Sequence, residues 1–313
     1  LTVHDPTLML RDNQNRVRVF HGMNVVYKAV PYVPRTDSFD FQYSFSQEDA
    51  QILQQYGMTA IRLGVMWPGV EPVRGQYNMT YLALMQDIVA MCENHSISVL
   101  IEMHQDDFSE KFCGEGVPLW AAQPANNSNF PEPLAPGFPK HGVPSPQNCS
   151  QIGWPNYYFT TAQCTAVQAL YDNQDGLLDS WAAYWGMLAH TFANFSNIIG
   201  YELINEPWAG DVIKDPLLLI PGVADQKNLA KAYEPLAAAI RTHDPQRPVF
   251  FEGVTWDDVL VGFEQVPGGP EWRNKSVYAY HWYQPPNLDA DSSIEAHHRE
   301  ATRLACGWFC TEV

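Results

Sequence analysis

Two glutamates lie at the ends of apolar segments that have the pattern of buried β-strands. Glu206 stands between Asn205 and Pro207 after one segment, and Glu312 ends another, one residue before Val313. Because proline cannot extend a hydrogen-bonded ladder, Pro207 leaves Glu206 at the mouth of its strand. The alternative, in which Glu206 only caps the segment that follows, is disfavoured by the amide of Asn205 beside it.

Cleavage of a glycosidic bond needs two carboxyl groups in different protonation states. One is protonated and helps the leaving oxygen depart, while the other is ionised and attacks the anomeric carbon. Glu206 and Glu312 suit these two tasks if their strands end on the same face of one sheet. A separation of about 5 to 5.5 Å between the two carboxyl groups would give a retaining double displacement.

The elements that must position this pair alternate along the chain. Apolar runs followed by longer segments of helical period are typical of βα units around a parallel sheet. We predict strands near 17–25, 60–65, 98–103, 198–204, 248–252, 277–281 and 308–312. We predict helices at 47–56, 81–95, 177–195, 226–242 and 293–305, and a short one near 256–261.

These elements predict an α/β fold, a (β/α)8 TIM barrel, as one catalytic domain over residues 1–313. Seven strands are one short of eight, so we expect a barrel that is truncated after strand 7, with its closing strand outside this sequence. The start at Leu1, without a leader segment, is expected of a mature or trimmed form.

Residues 105–175 are predicted to form a long active-site loop insertion within the barrel. This stretch contains nine prolines and no sustained period, and it follows the third strand at the carboxyl end, where barrels carry active sites. Its three cysteines, Cys113, Cys149 and Cys164, can pair with one another or with Cys92, and the sequence leaves the pairing open. Cys92 has a buried free thiol as its alternative.

Charge and composition limit the partners. The chain has 18 Lys and Arg against 35 Asp and Glu, a formal charge of -17, which argues against nucleic acid or an anionic membrane surface. No apolar run is long enough for a transmembrane segment. Six glycosylation sequons and plausible disulfides favour a secreted or lysosomal, extracellular-type location. The sequons begin at Asn78, Asn94, Asn126, Asn148, Asn194 and Asn274.

Several motifs occur in the order seen in the retaining glycoside hydrolases of family 5, in clan A. They are Arg62-Leu63-Gly64, His104, Asn205-Glu206-Pro207, His281-Trp282-Tyr283 and Thr311-Glu312. More narrowly, blocks at 21–28, 63–72, 103–106 and 111–116 make the chain resemble the endoglycoceramidases. The resemblance covers essentially the whole chain, and it implies an eighth strand with a further active-site tryptophan and a C-terminal β-sandwich.

The resemblance implies roles for the residues that match. Glu206 would be the acid/base and Glu312 the nucleophile, and Tyr283 would hydrogen-bond the nucleophile. Asn205 would hold the sugar 2-hydroxyl. Arg62 would keep Glu312 ionised, because a nearby cation lowers the pKa of a carboxylate; a plain buried ion pair is its alternative.

Further substrate-binding residues are implied in the same way. Lys28, His104 and Asp106 would contact the sugar at the cleavage point, with Glu102 facing the barrel interior, and His281 would also bind the substrate. For His104 the alternative is a satisfied core histidine. Relatives have aspartate at the position of Glu102.

No metal ion and no cofactor are predicted. His297-His298 lies in a helical pattern without carboxylates at ligand spacing, and we interpret this pair as part of a solvated face. Aromatic residues near strand ends are candidates for stacking on a sugar or a lipid tail, whereas Trp181 and Trp185 are expected in the core. These candidates are Trp120, Trp154, Trp208, Trp256 and Trp282.

The function that the resemblance implies is a retaining endo-β-glycosidase that cleaves the linkage between oligosaccharide and ceramide in glycosphingolipids. One alternative is a related β-glucosidase or glucanase that acts on glucosylated lipid or β-glucan. Another is an inactive glycolipid-binding fragment. The expected partner is a glycosphingolipid or another β-glycoside, with assistance from a lipid surface or an activator, and the oligomeric state is left open.

Overall fold

The computed structural model describes residues 1–4, 7–122, 129–138, 143–255, 261–284 and 289–313. A short antiparallel hairpin of β1 (Thr2–His4) and β2 (Met9–Arg11) comes first. A parallel sheet follows, in which neighbouring strands are consecutive in the chain. Its strands are β3 (Gly22–Val25), β4 (Ala60–Gly64), β5 (Ser98–Glu102), β6 (Ile198–Glu202), β7 (Val249–Phe251), β8 (Ser276–His281) and β9 (Gly307–Glu312).

Helices connect the strands and cover the outer face of the sheet. They are α1 (Gln47–Gln55), α2 (Trp67–Val70), α3 (Met79–Asn94), α4 (Pro146–Cys149), α5 (Thr161–Tyr171), α6 (Leu177–Phe192), α7 (Ala230–His243) and α8 (Ala290–Leu304). A π-helical turn, Asp225–Leu229, leads into α7. The alternation of strands and helices around a parallel sheet confirms the predicted barrel fold class. Within the described residues the sheet has seven strands, with β3 and β9 at its edges.

Side-chain oxygens fix the starts of several helices. The Asp49 carboxylate accepts the backbone N–H of Ser46 at 2.7 Å and thereby caps α1. Asn78 accepts the backbone N–H of Tyr81 at 3.1 Å before α3, and Asp289 does the same for Ser292 before α8. Among the described residues, no helix is both long enough and apolar enough to cross a bilayer.

The core has two apolar layers. The larger one lies between sheet and helices and includes the fully buried Trp181 and Trp185 of α6, as the sequence predicted. The smaller one includes Leu100 and Phe250, each in the middle of its strand and two residues before Glu102 and Glu252, and Val3 and Leu10 of the hairpin pack into it. The hairpin, which the sequence analysis did not predict, therefore closes the lower end of the sheet.

The predicted strands and helices agree with the structure apart from a few differences. The first strand begins at Gly22, not near residue 17. The segment 105–175 is not a loop throughout, because α4 and α5 lie within it. The α5 helix is buried on most of its faces, so it lacks the polar stripe that makes a helical period visible. Most of the short helix predicted near 256–261 lies outside the described residues.

A disulfide between Cys113 and Cys149 joins the beginning of this insertion to α4. Cys92 and Cys164 are buried free thiols. The structure therefore selects one of the pairings that the sequence left open, and it assigns Cys92 to its alternative. The bridge holds the insertion next to the strand end from which it departs.

Candidate active site

The turn at Glu206 is held in place by its neighbours at the carboxyl end of β6. Its φ angle of 40° is uncommon for a residue with a side chain. The backbone N–H of Glu206 donates to Oε2 of Glu252 at 2.6 Å. Nε2 of Gln105 donates to the carbonyl oxygens of Asn205 and Glu206 at 2.8 and 2.7 Å. These bonds fix the direction of the Glu206 side chain.

His281 lies between two carboxylates. Its Nδ1 is hydrogen-bonded to Oε1 of Glu206 at 2.8 Å. Its Nε2 lies 2.8 Å from Oε1 of Glu252, as an ion pair and not as an aligned hydrogen bond. Burial opposes the charge on the ring, but the negative charge of Glu252 and the contacts with both glutamates outweigh it and raise the pKa of His281 to about 10.

Arg62 lies beneath the turn and is buried. Its Nε donates to Oε2 of Glu202 at 2.6 Å, and its Nη2 donates to Oδ1 of Asn205 at 2.9 Å. Its Nη1 donates to Oε2 of Glu312 at 3.0 Å. The hydroxyl of Tyr283 donates to the other oxygen of Glu312. Glu312 thus receives one hydrogen bond from a fixed cation and one from a phenol.

A second charged group lies beside the first. Nδ1 of His104 contacts Oε1 of Glu102 at 3.0 Å, and its Nε2 lies 3.3 Å from Oδ2 of Asp106. Lys28 forms ion pairs with Asp106 and with Glu115, the latter at 3.1 Å. Burial opposes a charge on His104, but Glu102 and Asp106 outweigh it and raise its pKa to about 9.

Burial also disfavours the charge on Asp106, yet His104 and Lys28 hold its pKa well below the usual range. Asp107 is different because, among the described residues, no cation contributes to its environment. Burial, followed by the charges of Asp106 and Glu115, raises the pKa of Asp107 to about 7. Adjacent aspartates in the chain thus have opposite preferences for a proton.

All the candidate residues from the sequence meet in this network. The catalytic candidates Glu206 and Glu312 are joined to the rest through His281 and Arg62, and Glu102 lies 3.7 Å from Nη2 of Arg62. The roles assigned to these residues stay predictions, as does the separation of the two carboxyl groups.

The sequence analysis did not assign roles to Glu202, Glu252, Gln105 or Glu115. Glu252 had a visible signal, because it follows the apolar run Val249–Phe251 as Glu206 follows β6. Glu202 had no such signal, because an acidic residue within an apolar strand does not indicate which cation it will pair with. The contact between Glu115 and Lys28 depends on how the insertion folds.

The network opens into a cavity of about 920 Å³, and two unlike sets of its lining side chains are called walls below. One wall is charged and contains Lys28, Asp106, Glu206 and Glu312. The other is aromatic and is contributed by the insertion and the loop after β6. Its members are Trp154, Tyr158, Phe159 and Trp208.

The aromatic wall is packed at its base and exposed at its rim. Trp208 stacks on Tyr158 with ring centroids 4.6 Å apart and meets the edge of Phe159 at 5.0 Å. Trp154 is 60% exposed. Flat apolar faces of this kind suit a sugar ring or an alkyl chain.

The other tryptophan candidates differ from these two. Trp120 donates its indole N–H to the carbonyl oxygen of Glu71 at 2.9 Å and packs against Trp67, which is a structural position. Trp282 is half-buried next to His281. Trp256 lies outside the described residues.

The interpretation of His297-His298 as a solvated face is wrong for His297. Its ring is buried, stacks on Tyr280 at 4.0 Å and contacts the hydroxyl of Tyr278 at 3.2 Å. His297 shares one face of α8 with other buried residues such as Ser293 and Leu304, and this face packs on β8. His298 is exposed, as predicted.

Two sets of possible metal ligands lie among the described residues. Ligand atoms within 4.8 Å of one another are offered by His104, Asp106 and Glu115, and by Glu202, Glu252 and His281. In each set a protein cation already neutralises a carboxylate. Lys28 does so in the first set and Arg62 in the second.

These strands, helices and strand-end carboxylates define a class of protein. The family model for Cellulase (glycosyl hydrolase family 5) matches residues 35–311, and the chain belongs to this family.

Within the family, the chain is 48% identical to an endoglycoceramidase of Cyanea nozakii and 47% identical to one of Hydra vulgaris, over 316 aligned residues in each case. Both comparisons include 100% of this chain and 63% and 61% of the relatives, so the chain spans less than two thirds of their length.

Solved structures show the same fold. Endo-glycoceramidase II from Rhodococcus sp., in a complex with a cellobiose-like imidazole, has a TM-score of 0.75 and 22% identity, with 96% of this chain and 67% of that chain covered. An endogalactoceramidase has a TM-score of 0.73 and 20% identity, with 99% and 66% covered.

Proposed function

We propose that this protein is a retaining endo-β-glycosidase that cleaves the linkage between oligosaccharide and ceramide in glycosphingolipids. The observation that carries this proposal is that one cavity is lined by the strand-end carboxylate pair, by the charged wall and by the aromatic wall. A glycolipid has the matching division into a hydroxyl-rich part and an apolar part. The two relatives at 48% and 47% identity are named as endoglycoceramidases, which supports the same substrate class.

In the first step Glu312 attacks the anomeric carbon while Glu206 gives its proton to the oxygen of the leaving ceramide. Arg62 and Tyr283 donate hydrogen bonds to Glu312, which hold its carboxyl group in place for the attack. In the second step Glu206 takes a proton from water, and the water releases the glycan from Glu312. The configuration at the anomeric carbon is retained because it is inverted twice.

The charged wall would bind the sugar at the cleavage point. Lys28 can donate to sugar hydroxyls, and Asp106 can accept from them. His104 orients Asp106 through the contact of its Nε2 with Oδ2 of Asp106. Asn205 already bonds to Arg62 through Oδ1 and to the carbonyl oxygen of Gln105 through Nδ2. The second proton of its amide nitrogen is available for the 2-hydroxyl.

The aromatic wall would accommodate the ceramide end of the substrate. Trp154, Phe159 and Trp208 lie on the insertion and on the loop after β6, and they line the same cavity as Glu206. An apolar rim of this kind can also contact a lipid surface or an activator that presents the glycolipid. The expected role of this protein is therefore in glycosphingolipid catabolism, a part of lipid and carbohydrate metabolism.

A secreted or lysosomal location fits the chemistry of the chain. Disulfides such as Cys113–Cys149 form in oxidising compartments. Four sequon asparagines, Asn78, Asn94, Asn194 and Asn274, are exposed and Asn148 is partly exposed, so glycans can be attached there without unfolding. Asn126 lies outside the described residues.

The test is an assay of the full-length protein on lactosylceramide, glucosylceramide and a soluble cello-oligosaccharide. Release of intact lactose from lactosylceramide, with slower hydrolysis of the soluble oligosaccharide, is the expected result. Sequential release of single sugars would overturn the endo-acting proposal. Equal rates on the soluble oligosaccharide and the lipid would favour the β-glucanase alternative, and binding without turnover would favour a glycolipid-binding role.

A further inference from the structure

We propose that Glu252 is a positioning residue that acts on the acid/base Glu206 through the backbone of Glu206 and through His281. The inference deepens the proposed function, because it concerns how the acid/base of that reaction is controlled. Glu252 lies at the end of β7 and would not touch the substrate's reacting atoms in the mechanism above. Its effect would reach the reaction only through its two neighbours.

The contacts of Glu252 carry the inference. Glu252 is 4% exposed, and each of its oxygens faces a different part of the acid/base assembly. Oε2 accepts the backbone N–H of Glu206 at 2.6 Å, so it holds the turn with positive φ. Oε1 lies 2.8 Å from Nε2 of His281, whose Nδ1 meets the Glu206 carboxyl at 2.8 Å. One buried carboxylate thus positions both the backbone and the side-chain partner of Glu206.

Of the charged groups around His281, Glu252 does most to stabilise a positive charge on its ring. Arg62 opposes a positive charge on the ring, and Glu202 next to it is engaged with Arg62 at 2.6 Å. Glu102 also faces this group of charges from β5, and Glu312 and Tyr283 face it from β9 and the end of β8. Among the described residues, Glu252 and Glu206 are the carboxylates in ion-pair contact with the ring.

A charged His281 suits both halves of the reaction. When Glu206 gives its proton to the leaving oxygen, a negative charge forms on its carboxyl group, and Nδ1–H of His281 donates to it. When Glu206 takes a proton from water in the second step, the same N–H stays in place. His281 keeps both ring protons throughout, so no proton is gained or lost by the relay. Glu252 stabilises the charged ring in a buried site, where an unpaired cation would lose its proton.

Glu252→Gln removes the charge and keeps an oxygen that can accept the Glu206 N–H. Histidine side-chain NMR on the full-length protein would follow His281 directly, without any need for turnover. In the wild type the ring of His281 should titrate near pH 10. In Glu252→Gln the ring should lose its charge at least about one pH unit lower, because the anion that stabilises the charged ring is gone.

The pH profile of kcat/KM is a second measurement, and a purely structural role of Glu252 would not shift it. The basic limb of the kcat/KM profile should move to lower pH in Glu252→Gln, because a negative charge beside the acid/base assembly is removed and His281 loses its charge at a lower pH. The loss in rate should be greater for lactosylceramide than for an aryl glycoside with an activated leaving group, because a misplaced acid matters more for a poor leaving group. Glu252→Asp should restore part of the wild-type profile.

The matched control is Asp244→Asn. Asp244 is also a buried carboxylate and accepts the hydroxyl of Tyr201 at 2.8 Å, but it lies away from the cavity. It should leave the titration of His281 in place. The inference is overturned if His281 titrates in Glu252→Gln as it does in the wild type, or if Asp244→Asn shifts it equally. If the titration moves and no β-glycoside is hydrolysed, the inference stands and the proposed function fails.

Discussion

The two ends of the same strands carry opposite chemistry. Towards the amino end the interior positions are apolar, as at Leu100 and Phe250, and the hairpin covers them with Val3 and Leu10. Two residues further along the same strands, the same face carries Glu102 and Glu252. Each of these strands thus supplies an apolar residue to the smaller apolar layer, called the lower layer here. It also supplies a charged residue to the layer of strand-end carboxylates above it, called the upper layer.

The two layers should contribute differently to the stability of the fold and to catalysis. Burying several carboxylates around one arginine contributes little net stability, because their desolvation offsets the attraction between the charges. Burial of apolar side chains in the lower layer contributes favourably. We infer that the lower layer holds the strand ends in register and that the upper layer is retained for catalysis. Substitutions in the two layers should therefore have different effects.

The largest effect should come from the nucleophile. Glu312→Ala should lower hydrolysis of lactosylceramide by about 10⁴-fold or more, because no covalent intermediate can form. Azide should restore part of the activity on an activated substrate and give a product of inverted configuration, which NMR of the product identifies. Glu295→Ala, on the exposed face of α8, is the control and should keep full activity. Azide product with retained configuration would contradict the role of Glu312.

The next effect should come from the acid/base. Glu206→Gln should lower the rate on lactosylceramide by about 10²- to 10⁴-fold, because the amide cannot protonate the leaving oxygen. An aryl glycoside with a good leaving group should form the intermediate at a rate much closer to that of the wild type. Pre-steady-state release of the aryl group measures this step. Equal losses on both substrates would show that Glu206 is not the acid.

Substitutions in the lower layer should change the free energy of unfolding. Phe250→Ala leaves a cavity beneath the charged layer and should reduce the free energy of unfolding by about 3 to 5 kcal/mol. Phe41→Ala removes the same ring from a side chain that is 91% exposed and should change it by less than about 0.5 kcal/mol. Urea unfolding measures both. If Phe250→Ala lost activity per folded molecule as Glu312→Ala does, the division between the layers would be wrong.

The smallest effect should appear as a pH dependence. The pKa of Asp107 is raised by burial to about 7, so between about pH 4 and pH 7 the folded state keeps a proton that the unfolded state releases. The free energy of unfolding should therefore fall as pH rises through this window. Asp107→Asn should remove this contribution, so its advantage over the wild type should grow between pH 5 and pH 7.5.

The control for this prediction is Asp37→Asn. Asp37 is exposed and paired with Arg35, whose hydrogen bond lowers the pKa of Asp37, so its contribution has the opposite sign. Urea unfolding at the two pH values compares the variants. A wild type and an Asp107→Asn variant with the same pH dependence would contradict the assignment.

The positions of the strands and the catalytic candidates could be predicted from the sequence because both follow local rules. Apolar runs mark strands buried on both faces, and polar residues at their carboxyl ends meet at one edge of the sheet. Glu206 and Glu312 follow from this rule, and so would Glu252. The specific roles of Lys28 and Tyr283 came from resemblance, since nothing local indicates their partners.

The remaining features depend on tertiary contacts. The hairpin β1–β2 is too short for a period, and its place is decided by the apolar layer that it covers. The buried position of His297 depends on the face of α8 that packs against Tyr278 and Tyr280. The pairing of Cys113 with Cys149 depends on the path of the insertion.

The most direct test of the central claim is to trap the glycosyl intermediate. The full-length protein would be incubated with an activated 2-deoxy-2-fluoro-β-glycoside and digested, and the labelled peptide would be found by mass spectrometry. The account predicts a sugar adduct on Glu312, in stoichiometric amount and with parallel loss of activity. An adduct on Glu206 or Glu252, or continued hydrolysis with no adduct, would contradict it.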